Sequence, residues 1–320
     1  MSKFVLHIVF LFTLFFAIGQ QNLVPNGSFE EYNWCPSTSS GYYLNACKYW
    51  NSPTLGSPDY FNACSTEFDI VLQRFLYSVP QNYAGDQPAH SGNACGFFGF
   101  GQNEVGSTPY AEYLQIKLTQ TLQSGRFYTV RFFINNAGHS CINSVSALFT
   151  SQELNLNTDS LIPLSPQITS DSTIFFCDTI NWQEVTGVFQ AVGNENYLTI
   201  GVFKKTPQLL VSDLQGNSTP SFYSAYLYID DVSVTEKEFE IPNIFTPNGD
   251  GVNDHYIIDL EALGATGAEI YNRWGNCVAR GEKFLYWDGK FDGKECNNGV
   301  YYLRLQLENN IVNGFIHLMK

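Results

Sequence analysis

In "FYTVRFFINNA", residues 127–137, Tyr128, Val130, Phe132 and Ile134 fall on one face of an extended chain and alternate with the residues between them. That period of two predicts a half-buried β-strand. "NYLTIGVF" (196–203) and "AYLYIDDVSV" (225–234) are similar runs of β-branched and aromatic residues. Turn chemistry separates these runs: "NNAGHS" (135–140), "AVGNEN" (191–196) and "LQGNSTPS" (214–221) supply Gly, Asn, Ser and Pro. No amphipathic helix longer than about two turns is legible. Many short strands between such turns predict an all-β fold built of sandwiches. A charge cluster closed by proline, "TEKEFEIP" (235–242), follows a completed strand and precedes a second set of strand signals: "AEIYNRWGN", "GVYYLRLQL" and "VNGFIHLM". The expected organisation is a first β domain over 20–238 and a second over 239–320.

Composition narrows the function classes. The chain has 320 residues, 16 Lys+Arg against 30 Asp+Glu, and a net charge of -14. It offers no cationic field to displace counterions from phosphates, which argues against nucleic acid and against anionic lipid. Aromatics reach 16%, with 26 Phe and 19 Tyr, while charged residues are 14%. Such a chain fills a large core and still has rings for its surface. "MSKFVLHIVFLFTLFFAIGQQN" opens with Lys3, continues with an apolar run from Phe4 to Ile18 and ends in Ala17 and Gly19. This reads as a secretory signal peptide, 1–19, cleaved after Gly19. The run is short for a bilayer span, and no later run is long and apolar enough to be one. Eight cysteines (35, 47, 64, 95, 141, 177, 277, 296) follow it. In an exported chain an even count without close C-x-x-C pairs points to disulfides rather than zinc. The simplest partition is three bridges among the first six, with connectivity open, and one between Cys277 and Cys296.

"NLVPNGSFEEY" (22–32) and "AYLYIDDVSV" resemble the first and last strands of galactose-binding-like jelly rolls, the fold of many carbohydrate-binding modules. "SPDYFNAC" (57–64), "QPAHSGNACGFFGF" (87–100) and the long runs at 111–134 and 180–203 extend the likeness over nearly the whole first domain. The resemblance implies a structural calcium shared by the first and last strands, with Glu30 and Asp230 or Asp231 at the matching positions; calcium takes six to eight oxygens, part carboxylate and part carbonyl. The plain alternative is that these acids are solvated or hydrogen-bond a turn. It also implies sugar binding by aromatic rings, with a few polar groups reading hydroxyls. Trp34, Trp50, Tyr83 and Tyr110 are the candidate rings, with Asp86, Gln87 and His90 beside them. Ordinary packing is the competing role of each ring.

Catalytic signatures are missing. His90, His139, His255 and His317 are the histidines after the apolar run, and no H-e-x-x-H pattern joins them. "GHSCI" (138–142) has Ile142 where a nucleophile elbow needs glycine, and "GFFGFGQNEVG" lacks the lysine of a phosphate loop. The chain therefore reads as non-catalytic, with a secreted glycan hydrolase or esterase on the same scaffold, or a structural surface subunit, as the alternatives.

"IPNIFTPNGDGVNDHYII", then "AEIYNRWGNCV", "WDGKFDGKECNNGVYYLRLQL" and "NGFIHLMK" carry a second resemblance, from Ile241 to Lys320. They are similar to the gliding-motility-associated C-terminal domain, the type B sorting signal of the type IX secretion system of Bacteroidetes. That family implies a small Ig-like β-sandwich, recognition by the type IX machinery at the outer membrane, and cargo that is released or held at the cell surface. Cys277 and Cys296 depart from the family pattern. Arg273 is expected to be buried or stacked and paired with an acid, against a solvated turn charge. "IPNIFTPNGDGVNDHY" also invites comparison with an EF-hand, but with Gly251 at the sixth position the first and twelfth are Thr246 and Ile257, where ligands are needed. An Asx- and Gly-built turn between two strands is the simpler expectation, beside a weaker calcium site at Asp250 and Asp254. The chain as a whole is expected to bind glycan or another extracellular surface and to serve adhesion, polymer capture or gliding.

Overall fold

The computed structural model describes residues 21–320 apart from 42, 103–107, 139, 205–210, 213–222, 238–240, 262, 264 and 308–310. The expected signal peptide, His139 and the expected boundary near 238 lie outside the described residues. The chain divides into two compact units, Met1–Lys237 and Glu238–Lys320.

The first unit is a sandwich of two antiparallel sheets. One runs in the order Trp50–Asn51, Tyr113–Lys117, Tyr197–Gly201, Ser146–Thr150, Ile168–Thr169. The other runs Gln183–Gln190, Phe127–Asn136, Tyr223–Lys237, Ala94–Gln102, Asp59–Asn62, and Tyr110–Ala111 also pairs with Ala94–Gln102. Strand order is far from chain order, so the unit is closed by long crossings rather than by hairpins alone. The alternation read from 127–137 holds: Tyr128, Val130, Phe132 and Ile134 are buried, while Arg131 is exposed. Inward residues from both sheets form one core, with Leu114, Ile116, Leu198 and Ile200 meeting Val130, Phe132, Phe98 and Ile229. Burial of this kind is the main stabilising term, about 25 cal/mol per Å² of apolar surface.

The second sheet is also covered on its outer face. Strand alternation sends Tyr60, Phe98 and Leu227 inward and Phe61, Phe97 and Tyr228 outward. The outward set forms a second aromatic cluster with Tyr77 and Cys95. The segment after Asn62 lies over it: Asn62 N donates to Tyr77 O, and Tyr83 N donates to Leu76 O. Phe61 meets Tyr83 edge-on at 5.4 Å between ring centres, a geometry that adds about 0.5–1.5 kcal/mol to area burial.

Two disulfides form in this unit, Cys35–Cys64 and Cys141–Cys177, with Cα separations of 5.8 and 4.9 Å. The expected third does not: Cys47 and Cys95 are buried thiols. Cys47 Sγ lies against the carbonyl oxygens of Glu31 and Phe29, and burial pushes both thiols well above their ordinary pKa.

In the second unit Ile244–Phe245 pairs in parallel with Ile311–Leu318, which continues antiparallel through Gly299–Leu307 and Ala265–Tyr271 to Cys277–Gly281. A second, two-stranded ribbon joins Tyr256–Asp259 to Phe284–Trp287. Trp287 is buried between Phe245 and Tyr301, at ring distances of 5.0 and 4.7 Å. No helix among the described residues is long and apolar enough to cross a membrane.

Candidate functional site: an acidic aromatic cleft

Asp59 opens the strand Asp59–Asn62 at the edge of the second sheet, opposite Phe97 in register. The same alternation that buries Tyr60 turns Asp59 to the outer face. Tyr226 pairs with Gly99 on the next strand, and its ring lies parallel to Phe97 with centres 5.8 Å apart. Gly99 is required there, because a Cβ would come within 2.7 Å of the Tyr226 ring. Tyr43, Tyr77, Tyr83, Tyr110, Ser57 and Glu112 complete a cleft of about 720 Å³.

Two acids occupy it. Glu112 is buried and accepts four hydrogen bonds: from the Tyr110 hydroxyl at 2.5 Å, Gly99 N at 2.6 Å, Ser57 N at 3.1 Å and Ser57 Oγ at 3.3 Å. Burial raises its pKa, and these donors pull it back. A carboxylate surrounded only by donors is matched to the ionised form. Asp59 is bonded differently. One oxygen accepts the Tyr83 hydroxyl, the other is buried with no partner, and burial lifts the carboxyl to about 7 despite Tyr83, with Glu112 adding to the rise. The Tyr83 hydroxyl is itself pushed far above its ordinary value by burial and by Asp59.

Of the expected ring and polar residues, Tyr83 and Tyr110 line this cleft. The others do not join them. Trp50 is a core residue, stacked on Phe29 at 4.8 Å with its indole N–H on Asn26 O. Trp34 donates to Gly41 O and fixes a local turn. Asp86 pairs with Arg74 at 3.3 Å. Gln87 is buried and donates to the carbonyls of Pro88 and Ile180. His90 stacks on Phe133 at 3.7 Å and bonds Asp231 Oδ2 at 2.6 Å, lining a different hollow with Glu30 and Asp231. Sequence reasoning missed Asp59, Glu112, Tyr77, Phe97 and Tyr226. The available signal was a charged residue standing inside an aromatic strand run, as in "SPDYFNAC" and "YAEYLQIK".

Among the described residues no three His, Cys, Asp or Glu side chains converge to hold a metal ion. Glu30 and Asp230 nevertheless approach one loop: Glu30 Oε1 accepts Asn93 N at 2.7 Å and Asp230 Oδ2 accepts Ser91 N at 3.1 Å. Asp230 is fully buried, and burial lifts it to about 8. Asp231, at φ 48° in a β-bulge, turns to Ser91 Oγ and His90 instead.

In the second unit the stretch 241–256 forms an Asx-built turn. Asp254 accepts Gly249 N at 2.7 Å and Gly251 N at 2.8 Å, which hold its carboxyl below the usual range. Both glycines have positive φ, the conformation that residues with a Cβ avoid. Each Asp254 oxygen accepts one backbone amide, so hydrogen bonds within the turn set its shape. Arg273 is exposed and lies over the Trp274 ring at 5.3 Å. The expected Cys277–Cys296 bridge is absent. Cys277 Sγ donates to Ala279 O within its own strand, while Cys296 sits in a separate hollow beside Tyr301; the two thiols serve different neighbours.

The CHU_C type IX secretion signal domain matches residues 239–318. The C-terminal unit is a type IX secretion signal. The chain is accordingly an exported protein, destined for the cell surface or the medium, and it passes through the type IX machinery. No curated protein matches the chain. The chain is similar to several solved structures. A CBM4 structure is 13% identical, covering 67% of this chain and 99% of its own, with a TM-score of 0.26. TmCBM61 in complex with β-1,4-galactotriose is 12% identical over 68% and 99%, TM-score 0.27. The K1 cleaved adhesin domain of Lys-gingipain from Porphyromonas gingivalis W83 is 14% identical over 60% and 92%, TM-score 0.28. Likeness at this distance carries no argument about ligand or activity, which must come from the cleft.

Proposed function

We propose that this exported protein binds carbohydrate in the cleft on the outer face of the second sheet, without acting on it chemically, and thereby serves adhesion or polymer capture at the cell surface. The observation that carries the reading is the cleft's lining: tyrosine rings around a floor of two carboxylates, open to solvent. Rings of this kind stack on the apolar faces of sugars, and fixed acceptors read their hydroxyls.

Hydrolysis is the second reading, because two acids share the cleft. Glycosidases need one carboxyl as acid and the other free as nucleophile or base. Glu112 has its acceptor sites taken by Tyr110, Gly99 and Ser57, which favours binding over turnover.

Calcium is a stabilising ion in this reading, held by Glu30 and Asp230 from the first and last segments of the unit, with backbone carbonyls completing the set. The burial of Asp230 supports it: a divalent cation would stabilise the ionised form of that carboxylate. Asp231, bonded to His90, is left out of the set.

A glycan array and pull-down on insoluble polysaccharides, with the full chain, test the function. Retention on at least one glycan without release of reducing ends is expected. A folded protein retained on none contradicts binding, and release of reducing ends shows turnover.

A further inference from the structure

The cleft has an electrostatic character that sugar binding in general does not require. Tyr83, Tyr110, Tyr226 and Phe97 surround Asp59 and Glu112, and no Lys, Arg or His stands among the described lining residues. Ring faces are the negative end of the aromatic quadrupole and attract cations within about 6 Å. Asp59 is 7% exposed, and its Oδ1 lacks a hydrogen-bond partner. That oxygen is enclosed, so Asp59 borders the cleft as a buried, under-partnered carboxylate whose charge a cationic ligand offsets. A neutral hydroxyl supplies one donor. A primary ammonium supplies three, with a full charge opposite two carboxylates.

We infer that the cleft selects sugars bearing a free primary ammonium group, with the Asp59 and Glu112 carboxylates as its counter-charge and the tyrosine rings as its walls. The inference rests on reading the cleft as the carbohydrate site and narrows its ligand to de-N-acetylated amino sugars. A quaternary ammonium shares the charge but has no N–H to give, so it satisfies the rings and offers the carboxylates no hydrogen bond. Amino-sugar binding is therefore expected to exceed that of tetramethylammonium.

The test is calorimetric titration of the full chain with glucosamine oligomers, N-acetylglucosamine oligomers of the same length, and tetramethylammonium, at low and high salt. The free-amine oligomer is expected to bind at least about tenfold more tightly than the acetylated one, with affinity falling as salt rises. Asp59→Asn, checked for an unchanged circular dichroism spectrum, is expected to remove most of that preference. Should Asp59→Asn fail to fold, the acetylation and salt comparisons on the natural protein decide alone. Equal or tighter binding of the acetylated oligomer, or tetramethylammonium matching the amino sugar, overturns the inference and leaves carbohydrate binding standing. Binding of none of the three, together with an empty glycan array, overturns both.

Discussion

The Tyr110 hydroxyl donates to Glu112 Oε1 at 2.5 Å. The bond joins the wall of the cleft to its floor, and it is one of the donors that hold a buried carboxylate in place. Removing a donor from a buried charged acceptor costs about 1–3 kcal/mol. Tyr110→Phe keeps the ring and removes only the hydroxyl. It is expected to destabilise the protein by about that amount in urea unfolding. An unchanged midpoint would show that Glu112 does not depend on Tyr110.

Asp59 makes stability depend on pH. Burial lifts its carboxyl from near 3.8 to about 7, so the folded protein binds this proton more tightly than the unfolded chain does. The stabilisation is present at acid pH and is lost as pH rises from about 4 through about 7. Asp59→Asn removes the titration. Relative to the natural protein, this variant is expected to gain thermal stability as pH rises through that window, by about 2–4 kcal/mol above it. A melting-temperature difference that stays constant between about pH 4 and pH 8 would contradict the buried, poorly partnered carboxyl.

Calcium is expected to raise the melting temperature by several degrees, and a chelator to reverse it. A ligand at about a hundred times its dissociation constant adds about 2.7 kcal/mol. Asp230→Asn is expected to abolish the response. Identical melts in calcium and chelator would assign Glu30 and Asp230 to hydrogen bonding with the Ser91–Asn93 loop alone.

Export is expected to depend on the second unit, which carries the type IX secretion signal. Removal of residues 239–320 is expected to leave the protein inside the cell envelope, absent from the surface and the medium, as followed by immunoblot of each fraction. Trp287→Ala opens a cavity between Phe245 and Tyr301 and is expected to cost about 3–5 kcal/mol of that unit's stability. Undiminished export of the truncated chain would contradict the assignment of the signal.

The alternation of Tyr128, Val130, Phe132 and Ile134 made the sandwich legible, because one buried face and one outer face leave a period of two in the sequence. The signal domain was legible as a run of motifs in order. The cleft was legible only at Tyr83 and Tyr110, whose flanking sequences look loop-like although Tyr110 begins a short strand. Asp59, Phe97 and Tyr226 lie within strands, and a single strand does not disclose what covers its outer face. Here a segment from another part of the chain turns that face into a cleft. Trp50 misled for the converse reason: a ring near turn residues looked exposed, but long-range packing on Phe29 buried it. The cysteine count gave an even number, yet even parity does not bring Cys277 to Cys296.

The most direct test of the account compares the natural protein with Tyr83→Ala for retention on the glycan that binds best. Tyr83 lies on the cleft wall and is half-exposed, so its ring can be removed with the sheet in place. A loss of about tenfold or more in affinity, with an unchanged circular dichroism spectrum, is predicted. Equal retention of the two proteins would contradict the cleft as the binding site.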